Sequence, residues 1–564
     1  MRKSILPLLL AAAPLALPAQ TDVVMNAMRD ELARSMKELA VGKLEKPYFI
    51  SYRVIDLDSV AVGASFGALD HSNAGRSRRL TVEVRVGDYK LDNSHFFFFD
   101  YDMGSRMRIF NGTTSLTLDD DYKEIRRQLW LTTDAVYKKA VEDLSRKRAL
   151  LEARTREDES GDFTKEEPST ASYELPAVKI DVPKWEAEAR ALSALFRKLP
   201  GIYTSSVTFN CSNAYVRYLT SEGTSYTRRE PRLVFNADAA TQADDGEPLD
   251  DFVWFQGRSL AELPSQQELA SEIEALGRRV TELRTAATLV NYNGPVLAEG
   301  DAAAQLVRLA FLPNLIGTKA NLSGIPGMQP NANRADNPFL DKIGARVLPE
   351  FLSLTDNPAV AEYQNRHLAG FSKMDEDGVP SREVKLVENG ILQALLTSRD
   401  PVRGFDRSTG SRHAGQAAPT NVIVTASGGL SAADLRAKFI QMFQQRNRPF
   451  GMLVRRMRNV RDAVLAYKVF PDGREELVRG IQFYGLNADA FKDIAAASRE
   501  PNFLTVRYQP PRDNQFAFLM NEGEESFTAV SLVVPSLLFE DVTMRKIRAA
   551  APTPPVSGPP FFDK

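Results

Sequence analysis

The chain has 564 residues, more than one ordinary hydrophobic core accommodates, so two or more domains are expected. Its 71 basic and 73 acidic side chains leave a formal charge of −2, which supplies no basic footprint for nucleic acid. Hydrophobic residues at 43% and charged residues at 26% exclude a disordered or fibrous chain.

In chain order, MRKSILPLLLAAAPLALPAQ has the layout of a secretory signal peptide. Arg2 and Lys3 form its charged start, residues 5–17 its apolar stretch, and Ala19 the last residue before cleavage, giving a signal over 1–19. That apolar run is too short to span a bilayer and contains Pro7, Pro14 and Pro18. No cysteine follows it to carry a lipid, and no later stretch offers about 18 uninterrupted apolar residues. The expectation is an exported chain, periplasmic or secreted, with no membrane span after signal cleavage.

Val23, Val24, Ala27, Met28, Leu32, Met36 and Leu39 then recur at helical spacing. Strand-like runs follow in PYFISYRVID, LTVEVRVGDY and SHFFFFDYDM. A long charged helix is predicted over 121–154, carrying Ile125, Leu129, Leu131, Val136 and Val141. The polar, acidic run TREDESGDFTKEEPSTASYE, within an insertion at about 154–175, reads as an exposed loop or a disordered segment. KWEAEARALSALFRKLP is a further helix, ahead of strands around Cys211. Ser265, with Glu268 three residues on, caps a helix over 265–286.

Cys211 is the only cysteine, so no internal disulfide can form. It lies in an alternating strand-like run without a nearby histidine, and reads as a small core residue. The run AAAQLVRLAFL at 302–312 has helical spacing, with Leu306, Leu309, Ala310 and Leu312 on the stripe that meets the core. Beyond Tyr292 the pattern turns to strands and hairpins. Asn389-Gly390 in EVKLVENGILQALL and Pro471-Asp472-Gly473 in VFPDGREELVRGIQF supply the turns. A helix starting at Ser431 is predicted between them, and the proline-rich tail over 549–564 reads as flexible. The fold class is therefore α+β in two domains. Residues 20–291 form a helix-and-sheet domain, and 292–548 a mainly antiparallel β domain with a few helices.

GPVLAEGDAAAQLV, KIGARVLPEFLSLTDNP, DEDGVPSREVKLVENGILQALLTSR, STGSRH and VPSLLFEDVTMR, in that order across about 250 residues, resemble the C-terminal part of the TldD/PmbA family. These are peptidase-related proteins once called modulators of DNA gyrase. SNAYVRYLTSEGTSYTRRE is similar to the family's N-terminal domain more loosely. The resemblance implies a two-domain subunit that forms a dimer around a groove for extended peptides. It also implies that active members hold zinc through an H-E-x-x-x-H helix, with a later cysteine and a glutamate acting on the zinc-bound water. Here the helix after Gly300 reads DAAAQLVRLAFLPNL, with Arg308 and no histidine. His71, His95, His367 and His413 are the only histidines, and no two stand at ligand spacing. The sequence looks like the PmbA branch, which lacks zinc ligands: no metal or cofactor is expected in this chain, with zinc possible in a partner. The implied partners are a homodimer copy or a TldD-like zinc-bearing subunit, together with a peptide substrate.

The loop SRDPVRGFDRSTGSRHAG supplies the groove candidates Arg399, Arg403, Ser408, Arg412 and His413, alongside Arg407. Arginines there would hold carboxylates or carbonyls; a solvated connection is the alternative. Asp375, Glu376, Asp377 and Gly378 lack the ligand spacing of a calcium loop and read as an acidic turn. No G-x-S-x-G, Walker loop or dinucleotide fingerprint is present. Two other readings stay open: an active peptidase with a divergent site that uses His413, and a peptide-binding scaffold without catalysis.

Overall fold

The computed structural model describes residues 22–40, 44–97, 112–153, 159–199, 201–324, 337–459, 461–509 and 527–546. The expected signal segment, 1–19, and the proline-rich tail, 549–564, lie outside the described residues.

The first sheet has seven strands built around two long hairpins. Pro47–Ser65 and Ala68–Val86 pair antiparallel through a two-residue turn, where Phe66 and Gly67 both take positive φ as such tight hairpins require. Thr204–Thr220 joins the first of these strands, Ser225–Gln242 follows it, and Pro248–Gly257 closes that edge. Thr113–Ser115 sits at the opposite edge.

Alternation along these strands sends every second side chain to a face covered by helices. Helices α1 (Val23–Glu38) and α2 (Tyr122–Glu152) cover one end of it, against Ile50, Tyr52, Val54, Leu80, Val82 and Val84. Helices α3 (Val182–Ser193) and α4 (Gln266–Thr285) cover the other end, against Phe209, Cys211, Leu233 and Phe235. Each helix starts on a side-chain cap: Asp22, Asp121 and Asp181 accept backbone N–H bonds, and Ser265 with Glu268 completes the expected capping box. Each fully buried Leu, Ile, Val or Phe on this face contributes about 1.5–3 kcal/mol. Cys211 is buried there, and burial pushes its thiol up to about 11, so it acts as core.

The second sheet has twelve strands, mostly antiparallel, threaded by the long final strand Thr528–Lys546. That strand pairs with Asn291–Ala298, Ile494–Tyr508 and Ile481–Phe483 antiparallel, and with Asn421–Ala426 parallel. The hairpin at Asn389-Gly390 forms as expected, with φ of 49° and 79°. Helix α5 (Asp301–Leu306) runs directly into a π-helical turn, Val307–Phe311, and then a 3-10 turn, Leu312–Leu315. Helix α6 (Ala432–Gln445) is capped by Ser431. Among the described residues, no helix is long and apolar enough to cross a membrane. A helix-and-sheet N-terminal region thus precedes a strand-rich C-terminal region, as the sequence predicts.

Two expectations are corrected. The stripe expected along 302–312 is not a face: Ala302 through Val307, Ala310, Phe311 and Leu312 are all buried, and Arg308 and Leu309 are half-buried. This helix lies largely inside the core, and solvent reaches only Asp301, Arg308 and Leu309 in part. The described part of the acidic run, 159–174, is only partly an exposed loop: Glu159, Lys165, Glu167 and Pro168 are exposed, but Asp162, Phe163 and Thr164 are buried. Asp162 is 1% exposed and takes the Lys147 ammonium at 2.6 Å. Phe163 is buried beneath the guanidinium groups of Arg85 and Arg399, at 3.7 and 3.9 Å from the ring centre. Thr170–Glu174 then pairs parallel with Ser225–Arg229 as a strand. Its charge suggested solvation, yet the buried part has partners distant in sequence. Of SHFFFFDYDM, only Phe96–Phe97 is described as strand, and the rest lies outside the described residues.

Candidate functional site

Among the described residues, no helix covers the other face of the first sheet; residues of the C-terminal region stand across it. Period-two alternation places Arg53, Ile55 and Leu57, Ser77 and Arg79, Ala214 and Val216, and Arg228, Glu230 and Arg232 on this face. Opposite them stand residues 369–372, Glu376, His413, Ala414 and 527–529. A cleft of about 180 Å³ lies between the two walls.

Its floor is a charge cluster between the N-terminal and C-terminal regions. Arg53 donates through Nη2 to the Glu376 carbonyl oxygen at 2.8 Å and stands 3.5 Å from the Glu376 carboxylate. Tyr226 donates to the same carbonyl oxygen at 3.2 Å. The Glu376 carboxylate accepts the backbone N–H groups of Ala414 and Gly415 at 3.0 and 2.9 Å. Burial pushes its pKa up, but Arg53, Arg228 and His413 outweigh burial and hold it below the usual carboxylate range. His413 is 6% exposed, and its Nε2 finds no hydrogen-bond partner among the described residues. Burial pulls its pKa down to about 4, against the pull of Glu376, so the imidazole is neutral at pH 7.

The turn at 375–378 is acidic, as the sequence suggests, but it is buried and structural. Asp375 accepts N–H bonds from Asp377 and Val379, each at 2.9 Å, and from Arg412 at 3.1 Å. Burial, with Asp377 beside it, pushes Asp375 up to about 8. Gly378 takes φ of 77°, and a Cβ there would stand 2.4 Å from Thr224 Cγ2. Only glycine lets the turn seat against the first sheet.

The five groove candidates fall in different environments. His413 lines the cleft. Arg399, 1% exposed, is committed to Glu222 at 2.7 Å and to the Thr164 carbonyl oxygen, and lies over the Phe49 and Phe163 rings. Arg412 faces Asp377 and Asp400, at 3.5 and 3.3 Å. Ser408 is buried, its Oγ accepting the Gly410 N–H. Arg403 is exposed and pairs with Asp341. A loop that reads as one polar wall is therefore divided by burial. Arg399 joins the two regions through Glu222 and Thr164, Arg412 pairs within the C-terminal region, and of the five only His413 lines the cleft. Asp400 shows the same joining role: burial raises its pKa, but His95, Arg412 and Arg85 hold it well below the carboxylate range. Sequence reasoning missed Arg53, Arg228 and Arg258 as cleft residues. The alternation RREPR at 228–232 could have placed Arg228, Glu230 and Arg232 on one face.

By the resemblance, zinc would sit at the helical turn 301–315. A π turn stacks residues five apart, the histidine spacing of H-E-x-x-x-H. Here that spacing is filled by Leu306 with Phe311 and by Val307 with Leu312. Arg308, its Nε donating to Gln305 at 2.8 Å, adds a cation that repels a metal ion. This donor set does not fit zinc. His71 and His367 lie in strands beside Asp70 and Glu362, and His95 stands 3.3 Å from Asp400. Among the described residues, no three His, Cys, Asp or Glu stand together as metal ligands.

Residues 292–546 match the family model of the PmbA/TldA metallopeptidase C-terminal domain. A metalloprotease from Methanothermobacter thermautotrophicus is 26% identical over 202 residues, or 36% of this chain. The match spans 40% of that relative's length. Three solved structures share the fold. A candidate modulator of a DNA gyrase from Thermotoga maritima superposes with a TM-score of 0.57 at 14% identity, covering 92% of this chain and 99% of its own. TldE from Thermococcus kodakarensis gives 0.56 at 13% identity, over 92% and 99%. A candidate modulator of DNA gyrase from Bacteroides thetaiotaomicron gives 0.59 at 13% identity, over 93% and 98%. The C-terminal region of this chain, residues 292–546, is a domain of the PmbA/TldD metallopeptidase family.

Proposed function

We propose that the chain is an exported, peptidase-related subunit that holds an extended peptide in the cleft and depends on a partner subunit for zinc. The observation that carries this reading is the buried turn at 301–315. By the family resemblance active members bind zinc at this turn, and this chain fills it with aliphatic and aromatic side chains and Arg308. The partner is a second copy or, in the fuller form of the proposal, a TldD-like subunit with the histidine helix. The signal-like start fits delivery to the periplasm or the medium.

The test is metal content and peptidase activity of the chain from residue 20 onward, alone and mixed with a TldD-like protein encoded beside it. Substoichiometric zinc, no hydrolysis alone and hydrolysis in the mixture are expected. Stoichiometric zinc with hydrolysis by the isolated chain would contradict the proposal.

His413 supports a second reading, an active peptidase with a divergent site, because a neutral imidazole beside a carboxylate can serve as a general base. His413→Ala would then abolish turnover, and unchanged activity would remove that version. A scaffold without catalysis is favoured if no neighbouring gene encodes the histidine motif.

A further inference from the structure

The chemistry of the cleft walls limits what a bound peptide presents to them. Among the described residues, the lining includes five arginines, Arg53, Arg79, Arg228, Arg232 and Arg258, against two glutamates, Glu230 and Glu376. Both glutamates are already engaged. Glu376 holds two backbone N–H groups and faces Arg53, and Glu230 accepts the Tyr173 hydroxyl at 2.8 Å. Two of the arginines make only loose ion pairs. Arg228 stands 3.6 Å from Glu230, beyond hydrogen-bond reach, and although Glu230, Tyr226, Tyr173 and Glu376 around it favour its charged form, its buried Nε finds no hydrogen-bond partner among the described residues. Arg258 stands 3.9 Å from Glu262 and 5.5 Å over the ring of Phe371, which belongs to the facing wall. A guanidinium removed from water without a close anion is left under-compensated, and a carboxylate is the group whose two oxygens match its fork. Ile55, Leu57, Val216 and Phe371 between these charges exclude water from such a pairing.

We propose that the cleft recognises a carboxylate of its peptide, held by Arg228 and Arg258. This rests on the reading of the cleft as the peptide-holding site and names what that site selects. The carboxylate comes either from the peptide's C-terminus or from an acidic side chain.

The experiment is fluorescence anisotropy of the full chain with N-terminally dansyl-labelled pentaalanine, whose label carries no carboxylate, as the free acid, as the C-terminal amide, and as an amide with one internal aspartate. The free acid is expected to bind about tenfold more tightly than the plain amide, the scale of one charge-assisted pair. Arg258→Gln should remove that preference and leave amide binding in place. Arg228→Gln should do the same, and if it fails to fold, Arg258→Gln carries the test. Recovery of tight binding by the aspartate amide supports the proposal with a side-chain source, and no recovery supports it with the chain terminus. Equal affinity for acid and amide overturns the carboxylate proposal while peptide holding stands. No binding of any probe overturns both.

Discussion

The two faces of the first sheet are built from the same strands, one residue out of phase, and they differ in every physical respect. The helix-covered face carries Tyr52, Val54, Phe209 and Phe235, closed over by α1 to α4. The opposite face carries Arg53, Ile55, Arg228 and Glu230, met by turns of the C-terminal region. The first face is stabilised by area removed from water and tolerates no polar group without a partner. The second is held by charges whose desolvation offsets much of their attraction, which is a poor way to gain stability. Buried arginines on this wall add little to stability, which is the physical ground for the proposed role of the cleft in recognition.

The largest effect that sharpens this contrast is on the helix-covered face. Phe235→Ala removes a ring that packs edge-on against Phe209, with centres 5.0 Å apart, and should cost about 3–5 kcal/mol in denaturant unfolding. A loss under about 1 kcal/mol would mean that the site is not close-packed.

Next is the pH response of His413. Its folded pKa of about 4 lies below the unfolded value of 6.5, so the unfolded chain binds the proton first. The stability it contributes is present above pH 6.5 and lost as pH falls towards 4, roughly 3 kcal/mol at 1.36 kcal/mol per unit. Unfolding curves from pH 7 to 4 should fall more steeply for the wild type than for His413→Gln. Parallel curves would show that the imidazole is not buried in the neutral form.

A smaller effect belongs to the floor of the cleft. Glu376→Gln keeps the side chain's size but removes the charge facing Arg53, and should cost about 2 kcal/mol. Thermal unfolding checks this, with no change expected in zinc content. The smallest effect is an absence of reaction. With its thiol buried and shifted up to about 11, Cys211 should resist iodoacetamide at pH 8 until the chain is unfolded, as mass spectrometry would show.

The elements legible in the sequence are those fixed by neighbours a few residues apart. The capping box at Ser265, the cap at Ser431 and the hairpin at Asn389-Gly390 all formed where the residues predicted. What stayed hidden depends on partners far along the chain. Asp162 is buried because Lys147 meets it, and Arg399 is held by Glu222, 177 residues away. Composition alone assigns both to solvent. The turn at 307–311 was hidden for another reason, since α and π turns share nearly the same apolar spacing over so short a run. The cleft draws on at least four strands and two loops, and only strand alternation could have hinted that their arginines share a face.

Hydrogen–deuterium exchange of the full chain, with and without a saturating unfolded peptide, bears most directly on the cleft as the place where peptide is held. Protection is expected at residues 225–232, 369–376 and 413–414, the facing walls. Protection absent from those segments and concentrated elsewhere on the chain would contradict it.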